Sequence, residues 1–382
     1  LEILDQTGLA DKLHRLPHVK VYSPTILAED GPFTPIDFRR LRTRFPYILL
    51  MPQERFLDFL ADEARKLPGF RLVMGANVQR LVEEGGAVRG VRYRGPDGWH
   101  EVRAPLTVGA DGRFSRVRHL AGIKPVTLSA PLELLWFRLP RLEGDGERLD
   151  SPAAALATRP FAVLNGEVSS SPGVVQAVGV VHWGRGHGLL LFNRTDHWQV
   201  GFFLRPGEYP ELRAAGLGAF RRTVLALEPR LGPHLESLTD WHQLSPLSVS
   251  FGRCRRWHRP GLLLIGDAAH TMTPAAGAGI KYAVEDAVVA ANLLAEPLRA
   301  GRVRRKDLEA VQRRREWPTR LMQWGGTLAQ QFGRRFFQRD VSRERTYLRL
   351  PRWARLLFRV PLLSRLPARF AAFGLWKVRV KG

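Results

Sequence analysis

The segment Gly261–Ala287, GLLLIGDAAHTMTPAAGAGIKYAVEDA, constrains the fold of this 382-residue chain more than any other stretch. Leu262, Leu263, Leu264 and Ile265 form an unbroken apolar run, the pattern of a strand buried on both faces of a sheet. The run stops at Gly266-Asp267, and a turn rich in Pro and Gly follows from Thr271 to Gly279. Helical periodicity then begins at Ile280. Ile280, Ala283, Val284, Ala287, Val288, Ala291 and Leu294 fall on one face, which predicts a long helix packed on the sheet. A strand, an acidic residue at its carboxyl end, a Gly-rich loop and a helix N-terminus together make a site for a nucleotide-like group. The Asp accepts hydrogen bonds from hydroxyls, while Gly277 and Gly279 let backbone approach a flat ring.

Two other stretches share this character. Leu106–Arg118, LTVGADGRFSRVR, runs a strand into Gly109, Asp111 and Gly112, then Ser115 and Arg116. Met51–Ala64, MPQERFLDFLADEA, places Gln53 and Arg55 at the opening of a helix after a strand at Tyr47–Met51. In residues and in order, the three stretches resemble the motifs of the single-component FAD-dependent monooxygenases built like para-hydroxybenzoate hydroxylase. The resemblance covers about 1–298 of the chain. It implies that Gly266 and Asp267 meet the ribityl chain of FAD, and that Pro274, Gly277, Gly279 and Ile280 lie along the isoalloxazine ring. It also implies that Asp111 and Gly112 stand between FAD and the approach of NADH or NADPH, with Arg116 nearby for charge balance. Gln53 and Arg55 would reach the pyrophosphate or ribityl region. Lys281 departs from the Asn expected in that family; a cation there either adds to the helix end in stabilising anionic reduced flavin or points to solvent.

The implied fold is α/β. An FAD/NAD(P)-binding, Rossmann-like domain spans 1–125 and 255–300, with an inserted, mainly antiparallel substrate domain over 126–254 and a basic helical region over 301–382. The implied activity is NAD(P)H-dependent monooxygenation, hydroxylating a small apolar or aromatic compound with molecular oxygen through a flavin hydroperoxide. The cofactor carries that chemistry and the protein positions it. Two alternatives stay open: an FAD-dependent reductase or dehydrogenase of the geranylgeranyl-reductase kind, which shares the motifs, and an inactive fragment with a basic binding tail.

One family feature is missing. The family opens with a strand, a G-x-G-x-x-G turn and a helix that cradle the pyrophosphate. No such motif follows a strand here, the first residue is Leu1, and Glu2–Lys12 reads as a helix beyond that unit. Roughly 40–50 residues, the size of a βα unit and linker, are therefore expected to be absent from the front. Without those donors the chain is expected to purify colourless.

Elsewhere the periodicity predicts strands at Val19–Ala28 and Phe70–Met74, the latter closing a parallel strand–helix–strand unit around a helix at Gln53–Leu67. A three-strand meander is predicted over 78–102. Strands at Leu132–Leu139, Gly188–Phe192, Trp198–Leu204 and Trp241–Val249 surround a helix at Tyr209–Leu227. Asp150–His187, rich in Ser, Pro, Ala and Gly, reads as an extra loop or a hairpin. Trp136, Trp198 and Phe202 sit on substrate-domain strands and either line an apolar pocket or form core.

No catalytic residue is assigned. His270 fits a hydrogen-bonded structural role better than a catalytic one. The 11 histidines show no metal-binding spacing, and the nucleophile-elbow motif G-x-S-x-G is absent. Cys254 is the single cysteine, so no intrachain disulfide forms and a reducing, cytoplasmic compartment is the default. The net charge of +23 is concentrated at the end: from Gly301 onward there are 22 Lys/Arg and 5 Asp/Glu. Nucleic acid is not an expected partner, because no recognition helix, zinc spacing or aromatic-interleaved sheet is present. The charge reads either as solvated arginines or as peripheral contact with the inner face of a membrane.

Overall fold

Period-two alternation of large apolar side chains with polar ones builds most of this molecule, and a single short parallel pair carries the motif region. The computed structural model describes residues 1–28, 31–128, 132–145, 162–169, 176–184, 187–194, 196–205, 207–249, 251–272, 278–338, 361–374 and 376–381. Along the chain come α1 (Glu2–Gln6), α2 (Ala10–His14), β1 (Val19–Ala28), β2 (Gly31–Phe33), β3 (Ile48–Leu50), α3 (Gln53–Arg65), β4 (Asn77–Glu84), β5 (Ala87–Gly95), β6 (Gly98–Arg103), β7 (Thr107–Gly109) and α4 (Arg116–Leu120). Next are β8 (Pro125–Thr127), β9 (Leu132–Pro140), β10 (Ala162–Val168), β11 (Gln176–Gly184), β12 (His187–Asn193), β13 (His197–Leu204), α5 (Tyr209–Ala214), α6 (Leu217–Leu227) and α7 (Gly232–Leu235). The remainder is β14 (Ser245–Val249), β15 (Gly252–Cys254), β16 (His258–Arg259), β17 (Leu262–Leu264), β18 (His270–Thr271), α8 (Ala278–Arg299), α9 (Arg305–Gln338) and α10 (Pro361–Phe373).

These elements gather into two compact units, one of residues 1–60, 132–248 and 333–374, the other of 61–131, 249–332 and 375–382. The boundaries differ from the expected ones. Residues 1–60 join the antiparallel unit because β1 pairs antiparallel with β10 along its length, Val19 facing Val168 and Ile26 facing Ala162.

In the first unit nine strands run in the order β14-β9-β13-β12-β11-β10-β1-β2, with β3 added to β1. Within Asp150–His187, β10 and β11 pair antiparallel in this sheet, and residues 150–161, 170–175 and 185–186 lie outside the described residues. One face is a single apolar cluster. Leu135, Phe137 and Leu139 of β9 and Trp198, Val200, Phe202 and Leu204 of β13 meet Phe220 and Val224 of α6. The expected helix over 209–227 is broken at Gly216, whose φ of +85° a helix cannot continue through. Trp136 points to the other face, above Gly201, where a Cβ would lie 2.6 Å from the indole ring. On the core face, buried Asp145 accepts from Trp198 Nε1 at 2.9 Å and pairs with His234 Nε2 at 2.9 Å.

In the second unit β17 lies between β16 and β7 and is parallel to β7, with Leu262 opposite Thr107 and Leu264 opposite Gly109. Its apolar run has the expected cause. Leu262 and Leu264 pack on Trp257, Val117 and Ala268, while Leu263 and Ile265 face Val289, Leu294, Leu308 and Val311. The meander β4-β5-β6 forms as expected. Cys254 is buried, its Sγ 3.8 Å from the Ala268 carbonyl oxygen, and burial pushes the thiol up to about 11.

Three local expectations fail. Residues 70–74 form no strand, and Phe70, Leu72, Val73 and Met74 are exposed. β3 pairs antiparallel with β1, and no described strand pairs with it in parallel, so the parallel strand–helix–strand unit does not close. Glu2–Lys12, expected as one helix, is covered by two short helices, α1 and α2. In the basic region α9 is one helix running through Pro318.

Gly261 opens β17 at φ +73°, and a Cβ there would lie 1.9 Å from the Val88 carbonyl oxygen. Gly261→Ala is expected to destabilise the second unit by about 2–5 kcal/mol, combining positive-φ strain with overpacking. Thermal melts check this; an unchanged midpoint would refute it.

Candidate functional site

The second unit brings the carboxyl end of β17 beside the start of α4. Gly266 turns the chain at φ +58°, and its N–H donates to Asp286 Oδ2 of α8 at 2.9 Å. That carboxylate is fully buried. It is also held by His270 Nε2 at 2.6 Å and by Arg315 Nε of α9, 2.6 Å from Oδ1. Arg315 reaches Glu285 Oε2 with Nη2 at 2.8 Å and lies 5.2 Å above the Tyr282 ring. Burial alone would raise the Asp286 pKa, but His270 and Arg315 more than reverse this and hold it below the usual carboxylate range. The expected hydrogen-bonded role of His270 is what the geometry gives.

Asp267 is placed differently. It is half-buried, and among the described residues no donor hydrogen-bonds its carboxylate. Burial raises its pKa, opposed by the nearby charges of Arg113 and His270. A partly desolvated carboxylate with open lone pairs suits a ligand that brings hydroxyl donors. Gly279, in the first turn of α8, has nothing within 4 Å of where a Cβ would stand, so protein packing does not require glycine there. Ile280 beside it is exposed. Pro274 and Gly277 lie outside the described residues.

Lys281 neither points to solvent nor stands free at the helix end. Its Nζ is buried, 3.8 Å from Glu285 Oε1 and 5.4 Å from the Tyr282 ring centroid, and makes no hydrogen bond. Burial lowers its pKa, partly offset by Glu285.

The Asp111 motif needs correction. Asp111 Oδ1 accepts from Ser115 Oγ at 2.5 Å and Oδ2 from the Val117 N–H at 2.9 Å, so both oxygens serve the start of α4. Gly112, at φ +81°, supplies the turn before it. Arg116 faces away, with Nη2 2.5 Å from Gln79 Oε1. Arg118, two residues on, is the one that reaches the β17 turn, bonding the Ala268 carbonyl at 2.9 Å and that of Arg113 at 2.7 Å. Arg113, Arg118, Asp286 and Arg315 escaped the sequence reading. Helical spacing marked Asp286 only as off the apolar face, and its partner lies 29 residues later.

Gln53 and Arg55 belong to the first unit. Both are exposed on α3; Arg55 Nη1 is 3.5 Å from the Pro17 carbonyl oxygen, and Gln53 makes no side-chain bond. Trp198 and Phe202 are not pocket residues. Both are fully buried in the core beneath α6, because even positions of β13 face the helices. Trp136 remains on the opposite face, 6.4 Å from the Phe192 ring. Among the described residues no group of three His, Cys, Asp or Glu side chains is placed to hold a metal.

A family model described as FAD binding domain matches residues 1–139 and 226–325. The chain is 34% identical over 281 residues to 6-methylpretetramide 4-monooxygenase of Streptomyces rimosus, covering 73% of this chain and 60% of that protein. It is 29% identical over 302 residues to 12-dehydrotetracycline 5-monooxygenase/anhydrotetracycline 6-monooxygenase of the same species, covering 75% and 52%. The chain thus spans about half to three-fifths of the length of these curated relatives. In fold it is similar to anhydrotetracycline hydroxylase OxyS from Streptomyces rimosus, with a TM-score of 0.64, 22% identity and coverage of 97% of this chain and 65% of that one. The p-nitrophenol 4-monooxygenase PnpA from Pseudomonas putida gives a TM-score of 0.62 at 19% identity, covering 97% and 82%.

Proposed function

The chain belongs to the FAD-binding domain family, and on that premise we propose that it is the flavin-binding part of an FAD-dependent monooxygenase hydroxylating an aromatic or polycyclic compound. The observation that carries the reading is Asp267, a half-buried carboxylate that no donor reaches among the described residues, at the carboxyl end of a central parallel strand. Asp267 would accept from the ribityl hydroxyls, and the backbone at Gly279 would leave room for the ring. Asp286, through the Gly266 N–H, would hold the turn that aims Asp267. When bound, FAD reduced by NADH or NADPH supplies the electrons that activate molecular oxygen. Trp136 and Phe192, on the sheet face away from α6, would offer a flat aromatic substrate an apolar surface. The names of the relatives, all oxygen-inserting enzymes, favour hydroxylation over the saturating-reductase alternative.

The test supplies FAD, NADPH and an aromatic polyketide under ¹⁸O₂. One labelled oxygen in the product is expected. A saturated product without oxygen uptake would transfer the assignment to the reductase.

For the basic region over 301–382 we propose peripheral contact with an anionic membrane surface. No described helix is long and apolar enough to cross a membrane.

A further inference from the structure

Helix α9 is two-faced in an uncommon way. Leu308, Val311, Arg315, Thr319 and Gln323 follow one another at three- and four-residue spacing and are all buried. At about 100° per residue, the opposite side carries Lys306, Arg313, Trp317, Arg320 and Trp324 within one stripe, with Arg314 at its edge. All six are exposed, and the two indoles are the exposed large apolar side chains among the described residues of this helix, at 59% for Trp317 and 63% for Trp324. Asp307, Glu309 and Glu316 lie off the stripe. Glu309 is engaged by Arg305 at 2.7 Å and Glu316 by Arg320 at 2.7 Å. Arg313 and Arg314 make no ion pair among the described residues.

Exposed tryptophans cost free energy in water, and the described residues leave these two largely uncovered. Indoles alternating with guanidiniums, with no acid between, match the headgroup layer of an anionic bilayer. There the ring sits at the acyl boundary and arginine forks to lipid phosphate. A helix whose other face is anchored by buried Arg315 and Gln323 presents this stripe rigidly.

We infer that the outward stripe of α9, with Trp317 and Trp324 inserted and Arg313 and Arg314 on lipid phosphates, is the surface by which the protein docks on anionic membranes. The inference rests on the membrane reading of the basic region and is independent of the flavin reading.

Co-sedimentation compares vesicles of phosphatidylcholine alone with vesicles containing phosphatidylglycerol, at low and high salt. The parent protein is expected to bind only the anionic vesicles and to release as salt rises. R313Q/R314Q is expected to weaken binding roughly thirtyfold. W317S/W324S, with unchanged charge, should abolish sedimentation at moderate salt while its melting midpoint stays that of the parent. Quenching of tryptophan emission by brominated lipid should vanish in the same variant. Equal binding by W317S/W324S would overturn this docking surface while leaving the membrane reading of the tail standing. No vesicle binding by the parent would overturn both. Concentration-dependent self-association in buffer, lost in W317S/W324S, would assign the stripe to a second copy of the chain and equally overturn the proposal.

Discussion

Arg315→Ala is expected to lower stability by about 3–5 kcal/mol, because it strips the shared cation from two buried carboxylates. For a unit of this size that corresponds to a fall in melting midpoint of roughly 6–20 °C. Asp286 Oδ1 and Glu285 Oε2 both rest on the one guanidinium, at 2.6 and 2.8 Å. Lysine cannot fork between them, so Arg315→Lys should recover only part of the loss. The effect has a definite pH sign. Burial pushes the Asp286 pKa up, and His270 and Arg315 more than reverse it. A carboxyl lowered on folding stabilises above its unfolded value of about 3.9, and that contribution disappears as pH falls through the folded value. The deficit of Arg315→Ala should therefore be full at neutral pH and narrow below about pH 4. Melts at pH 7 and at pH 3.5 check this. A neutral-pH deficit under 1 kcal/mol, or one that widens in acid, would show that the pair is not held as described.

Asp267→Ala should behave in the opposite sense. This carboxylate accepts no hydrogen bond from the described residues and is desolvated at some cost. Its removal is expected to leave stability unchanged or slightly raised. FAD affinity should instead fall roughly ten- to hundredfold, the worth of about 1.5–3 kcal/mol for a charge-assisted bond. Flavin fluorescence titration and thermal melts on the same variant give both numbers. Equal FAD affinity in parent and variant would remove Asp267 from the site. Paired with Arg315→Ala, the experiment separates a residue kept for ligand from one kept for the fold.

The parts of the molecule legible in the sequence are those whose local pattern admits one environment. Leu262–Ile265 is apolar at every position, and only burial on both faces satisfies it; the pairing with Thr107–Gly109 follows. Residues 70–74 look equally strand-like, yet a strand exists only where a neighbour pairs with it, and no described strand runs beside them. Alternation in β13 separates Trp198 and Phe202 from Gly201 and Phe203, but not which face the helices cover. That choice depends on α6, beyond the strand itself. Asp111 shows a different limit. Its motif was readable, but a carboxylate followed four residues later by Ser115 can serve a ligand or cap a helix, and here it caps. Asp286 and Arg315 were invisible because neither is unusual until the fold puts them 2.6 Å apart.

The single thiol has a practical consequence. Cys254 is fully enclosed against Ala268, and its ionisation is pushed up to about 11, so the reactive thiolate is scarce at neutral pH. Maleimide and methanethiosulfonate reagents should pass the parent protein by without any background substitution. One introduced cysteine, on α9 beside Trp317 or in the first turn of α8, would then carry a spin label or fluorophore at a unique address. The molecule comes ready for distance and depth measurements at the two surfaces where ligand and lipid are proposed to meet it.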